Sequence, residues 1–224
     1  MKYKHLFFDL DNTLWDFDFN SKTVLGHIFD KFKLKNKGIP SKKKFINSYK
    51  KINGNLWLKY REGLINKNIL RSQRFLKTLE SFNIHDNKLS EFISNYYVDN
   101  SPHQTKLMDG AKDVLFNLSL RYKLHIITNG FKEVQYVKLK ESGIYNFFDK
   151  IIVSEDVGVL KPNKKIFSFA INKSGAKIEN SLMIGDDDIS DIRGAREFGI
   201  DQVYFNFKFS NFFGKGIYKH LWKI

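Results

Sequence analysis

From about residue 104 onward the chain alternates between short apolar runs and segments whose apolar residues recur at helical spacing, and this alternation restricts the fold more than anything else in the sequence. Ala111, Val114, Leu115 and Leu118 mark a helix, followed by the run KLHIIT. A second helix through Val134 to Leu139 leads to IIVS; Ile166, Phe167, Ala170 and Ile171 precede SLMIGD; and a last helix precedes QVYFNF. Apolar runs separated by whole helices cannot pair as hairpins, because a long helical crossover is the connection that parallel strands require. The pattern therefore predicts βαβ units and a doubly wound, parallel-sheet α/β core.

The N-terminal run Leu6, Phe7, Phe8 is expected in the same sheet. Between it and residue 104 the period turns helical throughout. Val24, Leu25, Ile28, Phe29 and Phe32 fall on one stripe; others are Phe45, Tyr49 and Ile52; Leu70, Leu76 and Leu79; and Leu89, Phe92, Ile93, Tyr96 and Tyr97. Pro40-Ser41 and Asn53-Gly54 punctuate these stripes as cap and turn signals. The expected organisation is a Rossmann-like core, residues 1–15 and 104–224, carrying an all-helical insert of four or five short helices at residues 16–103. The stretch 202–224, rich in Phe and Lys, is expected to form an edge strand and terminal packing.

Composition excludes several chemistries. With no cysteine among 224 residues, disulfides, a thiolate nucleophile and zinc–thiolate sites are ruled out. Asp9 and Asp11 interrupt the N-terminal apolar residues before a signal core could form, and no apolar run approaches the roughly 20 residues of a membrane helix. A soluble cytoplasmic protein, a monomer or weak homodimer, is expected. The net charge of +14 invites a nucleic-acid partner. Of the 38 cationic residues, however, 32 are Lys and only 6 are the Arg suited to bidentate phosphate and base recognition. That balance disfavours nucleic acid. The densest run, nine lysines and no acid over residues 31–51, reads as a solvated helix surface; attraction of an anionic substrate is the alternative.

The chemistry concentrates at the ends of the expected strands, where open α/β sheets bind their ligands. In FFDLDNTLW, Asp9 follows the first strand and Asp11, two residues on, can project to the same side. Two carboxylates so close repel one another unless a cation intervenes. Thr128-Asn129-Gly130 ends KLHIIT, and a hydroxyl followed by a tight turn can offer side-chain and backbone donors to phosphate oxygens. Lys161 precedes Pro162 at an expected helix start in GVLKPNKK. In GDDDISD, Asp186, Asp187, Asp188 and Asp191 crowd one strand end. Helix capping accounts for one or two of them, and the remainder call for a divalent ion or for lysines.

Taken in order, DLDNT, ITNG, LKP and GDDDISD resemble the motifs of the haloacid dehalogenase superfamily of phosphatases. The resemblance covers nearly the whole chain, with the helical insert matching that family's cap. It implies that Asp9 is the nucleophile, Asp11 the general acid/base, Thr128 a phosphate ligand assisted by Asn129 and Gly130, and Lys161 the cation steadying Asp9. It further implies a magnesium site made by the Asp9 carboxylate, the Asp11 backbone carbonyl and Asp186, with Asp191 and Asp187 in the outer shell and Asp188 a possible competitor for the register. The acid at position 11 favours a phosphatase over a dehalogenase, since halide leaves without a proton. In the insert, NGNLWLKYREGLI, with Asn53, Trp57, Tyr60 and Gly63, resembles bacterial pyrimidine 5′-nucleotidases that hydrolyse noncanonical nucleoside monophosphates. IITNGF, SEDVGVLKPNKKIF and GDDDISDI resemble them as well. Trp57 or Tyr60 would then stack on a base. Phosphoglycolate or a sugar phosphate is the alternative substrate class.

Overall fold

The computed structural model describes residues 2–205. Five strands, β1 (His5–Phe8), β2 (Lys123–Thr128), β3 (Phe148–Val153), β4 (Ser181–Gly185) and β5 (Asp201–Tyr204), form one all-parallel sheet in the order β3-β2-β1-β4-β5. The first strand is central, with Phe8 level with Ile126 on one side and with Ile184 on the other. Successive side chains of β1 point to opposite faces, and both faces are covered. Leu6 and Phe8 pack with Val114, Leu115 and Leu118 of α5 (Ala111–Ser119) and Leu139 of α6 (Lys132–Glu141). Phe7 packs with Ile166, Phe167 and Ala170 of α8 (Lys164–Ser174), and with Ala195 of the short α9 (Gly194–Phe198). A short α7 (Ser154–Val157) follows β3, and one π-type turn spans Asp188–Arg193. The expected doubly wound α/β core is thus present. Of the expected packing in 202–224, β5 supplies the edge strand and the remainder lies outside the described residues.

The chain divides into two compact units: residues up to Phe17 together with those from Gln104 onward, and Asp18–His103. Within the α/β unit the two crossing points are tied together. Met108 N donates to Leu14 O at 2.8 Å, Asp16 N to Lys106 O at 3.1 Å and Trp15 Nε1 to Gln104 O at 2.9 Å, so residues 14–16 and 106–108 form a small antiparallel clasp.

The second unit is all-helical: α1 (Phe17–Lys31, its first residue in the α/β unit), α2 (Lys42–Arg61), α3 (Lys67–Glu80) and α4 (Asn87–Asn100). Ser41, Asn66 and Asp86 cap α2, α3 and α4 by accepting from Lys44 N, Ile69 N and Leu89 N. The core gathers Val24, Leu25, Ile28, Phe45, Tyr49, Phe75, Leu79, Ile93 and Tyr97. Two expectations are corrected here. Asn53-Gly54 is no turn but lies inside α2, because Ile46, Tyr49, Asn53 and Leu56 form one buried face that carries the helix through a locally turn-like pair. Phe92, placed on the α4 stripe, is 62% exposed; the buried stripe is Leu89, Ile93 and Tyr97, one helical turn apart. The nine lysines of residues 31–51 are all exposed.

Candidate active site

β1 delivers Asp9 to the carboxyl edge of the sheet. Its backbone extends the ladder, with Asp9 N donating to Ile184 O at 2.9 Å, which sets it beside the end of β4. The chain then coils tightly: Leu14 N and Trp15 N both donate to Leu10 O, and Asn12 takes a left-handed φ of 59°, a conformation Asn tolerates better than most residues. The DLDNT string is therefore a compact loop that keeps Asp9 and Asp11 at one edge.

A buried lysine organises the carboxylates. Lys161 Nζ donates to Asp9 Oδ1 at 2.6 Å, to Asp191 Oδ1 at 2.6 Å and to Ile127 O at 2.7 Å, which uses all three of its protons. Asn129 fixes the backbone beneath it, accepting from Lys161 N at 2.8 Å and donating to Lys161 O at 3.0 Å. Asp186, at the end of β4, accepts from Thr13 Oγ1 at 3.3 Å. Oxygens of Asp9, Asp186 and Asp191 lie within 4.8 Å of one another.

Three carboxylates thus face one ammonium, and burial with neighbouring carboxylates favours their neutral forms. Burial pushes the Asp9 carboxyl well above the usual carboxylate range, against the pull of Lys161, and Asp191 and Asp186 add to the rise. Asp186 is pushed up to about 7 by burial and by Asp191, and burial raises Asp191 as well. Burial opposes the charge of Lys161, but the Asp191 and Asp9 carboxylates hold it protonated. An all-oxygen, over-negative cluster of this kind suits a hard divalent cation, which would relieve the repulsion that raises these groups. The residues present fit a metal.

Opposite the cluster, Thr128 ends β2. Its Oγ1 accepts from Gly130 N at 3.1 Å and from Gln135 Nε2 at 2.6 Å, so its own proton remains for a ligand. Gly130 is required here, because a Cβ at this position would collide with the Gln135 amide. Gly185 is required in the same way by the Asp191 carboxylate. Asp11 is held by α6: Lys138 Nζ donates to its Oδ1 at 2.6 Å and Gln135 Nε2 to its Oδ2 at 2.9 Å.

The structure thus brings Asp9, Asp11, Thr128, Asn129, Gly130, Lys161, Asp186 and Asp191 to one edge of the sheet. Asp191 has an oxygen within 4.8 Å of oxygens of Asp9 and Asp186, while its Oδ1 accepts from Lys161 Nζ and its Oδ2 from Asp187 N at 3.2 Å. Asp187 caps the turn that follows β4, accepting from Ile189 N and Ser190 N, and Asp188 is exposed. Pro162 precedes the cap of α8 rather than opening the helix: Asn163 caps it, and the first helical residue is Lys164. Trp57 and Tyr60 belong to the helical unit, where their half-buried rings meet edge to face at 5.6 Å near the end of α2.

Sequence reasoning missed Gln135, Lys138 and the part played by Thr13. A signal for the first two existed. Phe131, Gln135, Lys138 and Leu139 share one buried stripe of α6, and two polar residues on a core-facing stripe mark a polar task.

Known proteins resemble this chain in sequence and fold. The family described as haloacid dehalogenase-like hydrolase matches residues 3–199. YfnB of Bacillus subtilis (strain 168), a HAD-hydrolase, is 33% identical over 92% of this chain and 85% of its own length. Its crystal structure bound to magnesium superposes with a TM-score of 0.83 at 31% identity, covering 92% of this chain and 90% of that one. Pyrimidine 5′-nucleotidase YjjG of Escherichia coli (strain K12) is 34% identical over 92% of this chain and 87% of its own length. Pyrimidine 5′-nucleotidase PynA of Streptococcus pneumoniae is 31% identical over 92% of this chain and 85% of its own.

Proposed function

The chain belongs to the haloacid dehalogenase-like hydrolases, and from that membership we propose that it is a magnesium-dependent phosphatase of small phosphate monoesters, foremost pyrimidine nucleoside 5′-monophosphates, with Asp9 as nucleophile. One observation carries the chemistry. Lys161 binds Asp9 through Oδ1 alone, and no other described residue donates to Asp9, so Oδ2 is a fixed but uncommitted nucleophile.

Asp9 Oδ2 attacks the phosphorus and the bond to the ester oxygen breaks. Asp11 in its acid form gives its proton to the departing alkoxide. The Asp11 carboxylate then takes a proton from the water that attacks the aspartyl-phosphate, releasing inorganic phosphate and restoring Asp9. Lys161 and the free Thr128 hydroxyl, with backbone N–H groups of the Thr128–Gly130 turn, stabilise charge on the phosphoryl oxygens. Asp9, Asp186 and the Asp11 backbone carbonyl would hold magnesium, with Asp191 beside them; when bound it neutralises the carboxylates and the phosphate so that two anions can meet.

The substrate class rests on the two pyrimidine nucleotidases, whose similarity runs through the helical unit as well as the α/β unit. Recognition of the base is assigned to Trp57 and Tyr60, as stacking platforms worth roughly 1–3 kcal/mol each. A panel of nucleoside and sugar monophosphates, assayed with magnesium and with a chelator, tests the reading. Release of phosphate should need magnesium, favour pyrimidine nucleotides, and fall by about 10⁴-fold or more in a folded Asp9→Asn variant. An active Asp9→Asn enzyme would overturn the assignment.

A further inference from the structure

Of the lysines among the described residues, two are buried, and each holds one acid of the DLDNT loop. Lys161 holds Asp9, and Lys138, 3% exposed, holds Asp11. We propose that Lys138 and Gln135 of α6 form a bracket that fixes the Asp11 carboxyl group for its proton exchange with the leaving group and the attacking water, and ties it to the phosphate-binding turn. The proposal rests on the phosphatase reading above and assigns two residues to it that the motifs do not name.

The geometry is specific. Both Asp11 oxygens are engaged, Oδ1 by the Lys138 ammonium at 2.6 Å and Oδ2 by Gln135 Nε2 at 2.9 Å, so the carboxyl plane is fixed and not merely attracted. The same Nε2 donates to Thr128 Oγ1 at 2.6 Å, making one amide the link between the acid and the hydroxyl that faces phosphate. Lys138 has no other carboxylate among the described residues. Its ammonium lies 4.2 Å from the Trp15 ring centroid and 5.6 Å from that of Phe17, walls that exclude water and restrict where the charge can go. Burying an ammonium is costly unless it is paired, and the pair here is Asp11. The bracket also answers an electrostatic need: in its carboxylate form, which takes the proton from the attacking water, Asp11 would otherwise be repelled by Asp9 and the phosphoryl group beside it. Gly130, with no Cβ, leaves room for the Gln135 arm.

The test uses the leaving group, because a positioning role and a structural one differ there. The specificity constant kcat/KM reports phosphoryl transfer to Asp9, before the hydrolytic step. A nucleoside monophosphate expels an alkoxide that needs a proton, whereas p-nitrophenyl phosphate expels a phenolate that does not. In Lys138→Met, kcat/KM should fall about 100-fold or more for a pyrimidine nucleoside monophosphate and only a few-fold for p-nitrophenyl phosphate. Lys138→Arg should restore most of the loss. Asp11→Asn should show the same split, and the double variant with Lys138→Met should be no worse than Asp11→Asn alone. Equal losses on both esters, or additive losses in the double variant, would overturn the proposal. Should Lys138→Met fail to fold, Gln135→Leu is read by the same split. A wild-type enzyme inert toward both esters is a separate result that removes the phosphatase reading itself.

Discussion

The two units bury their cations in opposite ways. In the α/β unit the buried ammonium groups of Lys138 and Lys161 are met by carboxylates at 2.6 Å. In the helical unit Arg74, 6% exposed, has no carboxylate partner among the described residues. Its guanidinium lies over the Tyr97 ring at 4.7 Å and the Phe75 ring at 5.5 Å, and its Nε is buried without a hydrogen-bond partner. Neutral polar atoms without a partner are buried in both units, Tyr49 Oη and Asn53 Oδ1 in the helical one and Gln135 Oε1 and Ser142 Oγ in the other. Among the described residues, His5 and His125 are buried in the α/β unit, while His27, His85 and His103 of the helical unit are exposed. Both units have apolar cores, but among the described residues only the α/β unit neutralises its buried cations with carboxylates.

That contrast can be broken most directly at Lys161. Lys161→Met leaves Asp9 and Asp191 buried without their cation, so urea denaturation of the metal-free protein should show a loss of about 3–5 kcal/mol. A loss below about 1 kcal/mol would erase the distinction between the units.

Acid should act through the α/β unit next. Burial, and then His5, lowers the His125 pKa to about 4, below the 6.5 of the unfolded chain. The contribution is fully present above pH 6.5 and is lost as pH falls toward 4, because the unfolded state takes up the proton first. The raised carboxylates work in the opposite direction, so the measurement is a difference against His125→Phe. Between pH 7 and pH 5 the wild type should lose about 2 kcal/mol more than the variant.

Arg74→Met should change stability by less than about 1 kcal/mol, since the cation–π contribution it removes is offset by relief of an uncompensated charge. A larger loss would show that the helical unit also depends on charge. The smallest effect is expected at Gly54, inside α2, where a Cβ would meet nothing within 4 Å. Gly54→Ala should raise stability by about 0.5–1 kcal/mol, read as a higher thermal midpoint.

How far the sequence could be read follows the same division. KLHIIT is β2 residue for residue, since a strand buried on both faces is apolar at most positions, here Leu124, Ile126 and Ile127. The loop acids, Thr128 and Lys161 were legible because each lies in a short motif at or after a strand end. Lys138 was not, because it sits among 32 lysines and only its place on the buried stripe of α6 sets it apart. Gln135 was hidden for a related reason: its partners, Asp11 and Thr128, are distant in sequence or across a turn. In the helical unit, Asn53-Gly54 misled because turn preference is local, whereas the face made by Ile46, Tyr49 and Leu56 is a property of the assembled bundle. Phe75, fully buried at the centre of that bundle, was absent from the expected stripe, which followed Leu76 instead.

The clasp of residues 14–16 with 106–108 carries a consequence for the history and engineering of such a chain. Because the segments that lead out of and back into the α/β unit are hydrogen-bonded side by side, the chain leaves for the helical unit and returns from it through a doorway no wider than a hairpin. Closure entropy grows only with the logarithm of the inserted length, by about 0.6 kcal/mol per doubling. The doorway therefore accepts long and short guests at nearly the same thermodynamic cost. The helical unit can be exchanged as a cassette, while the acids, lysines and threonine around Asp9 stay where the sheet put them.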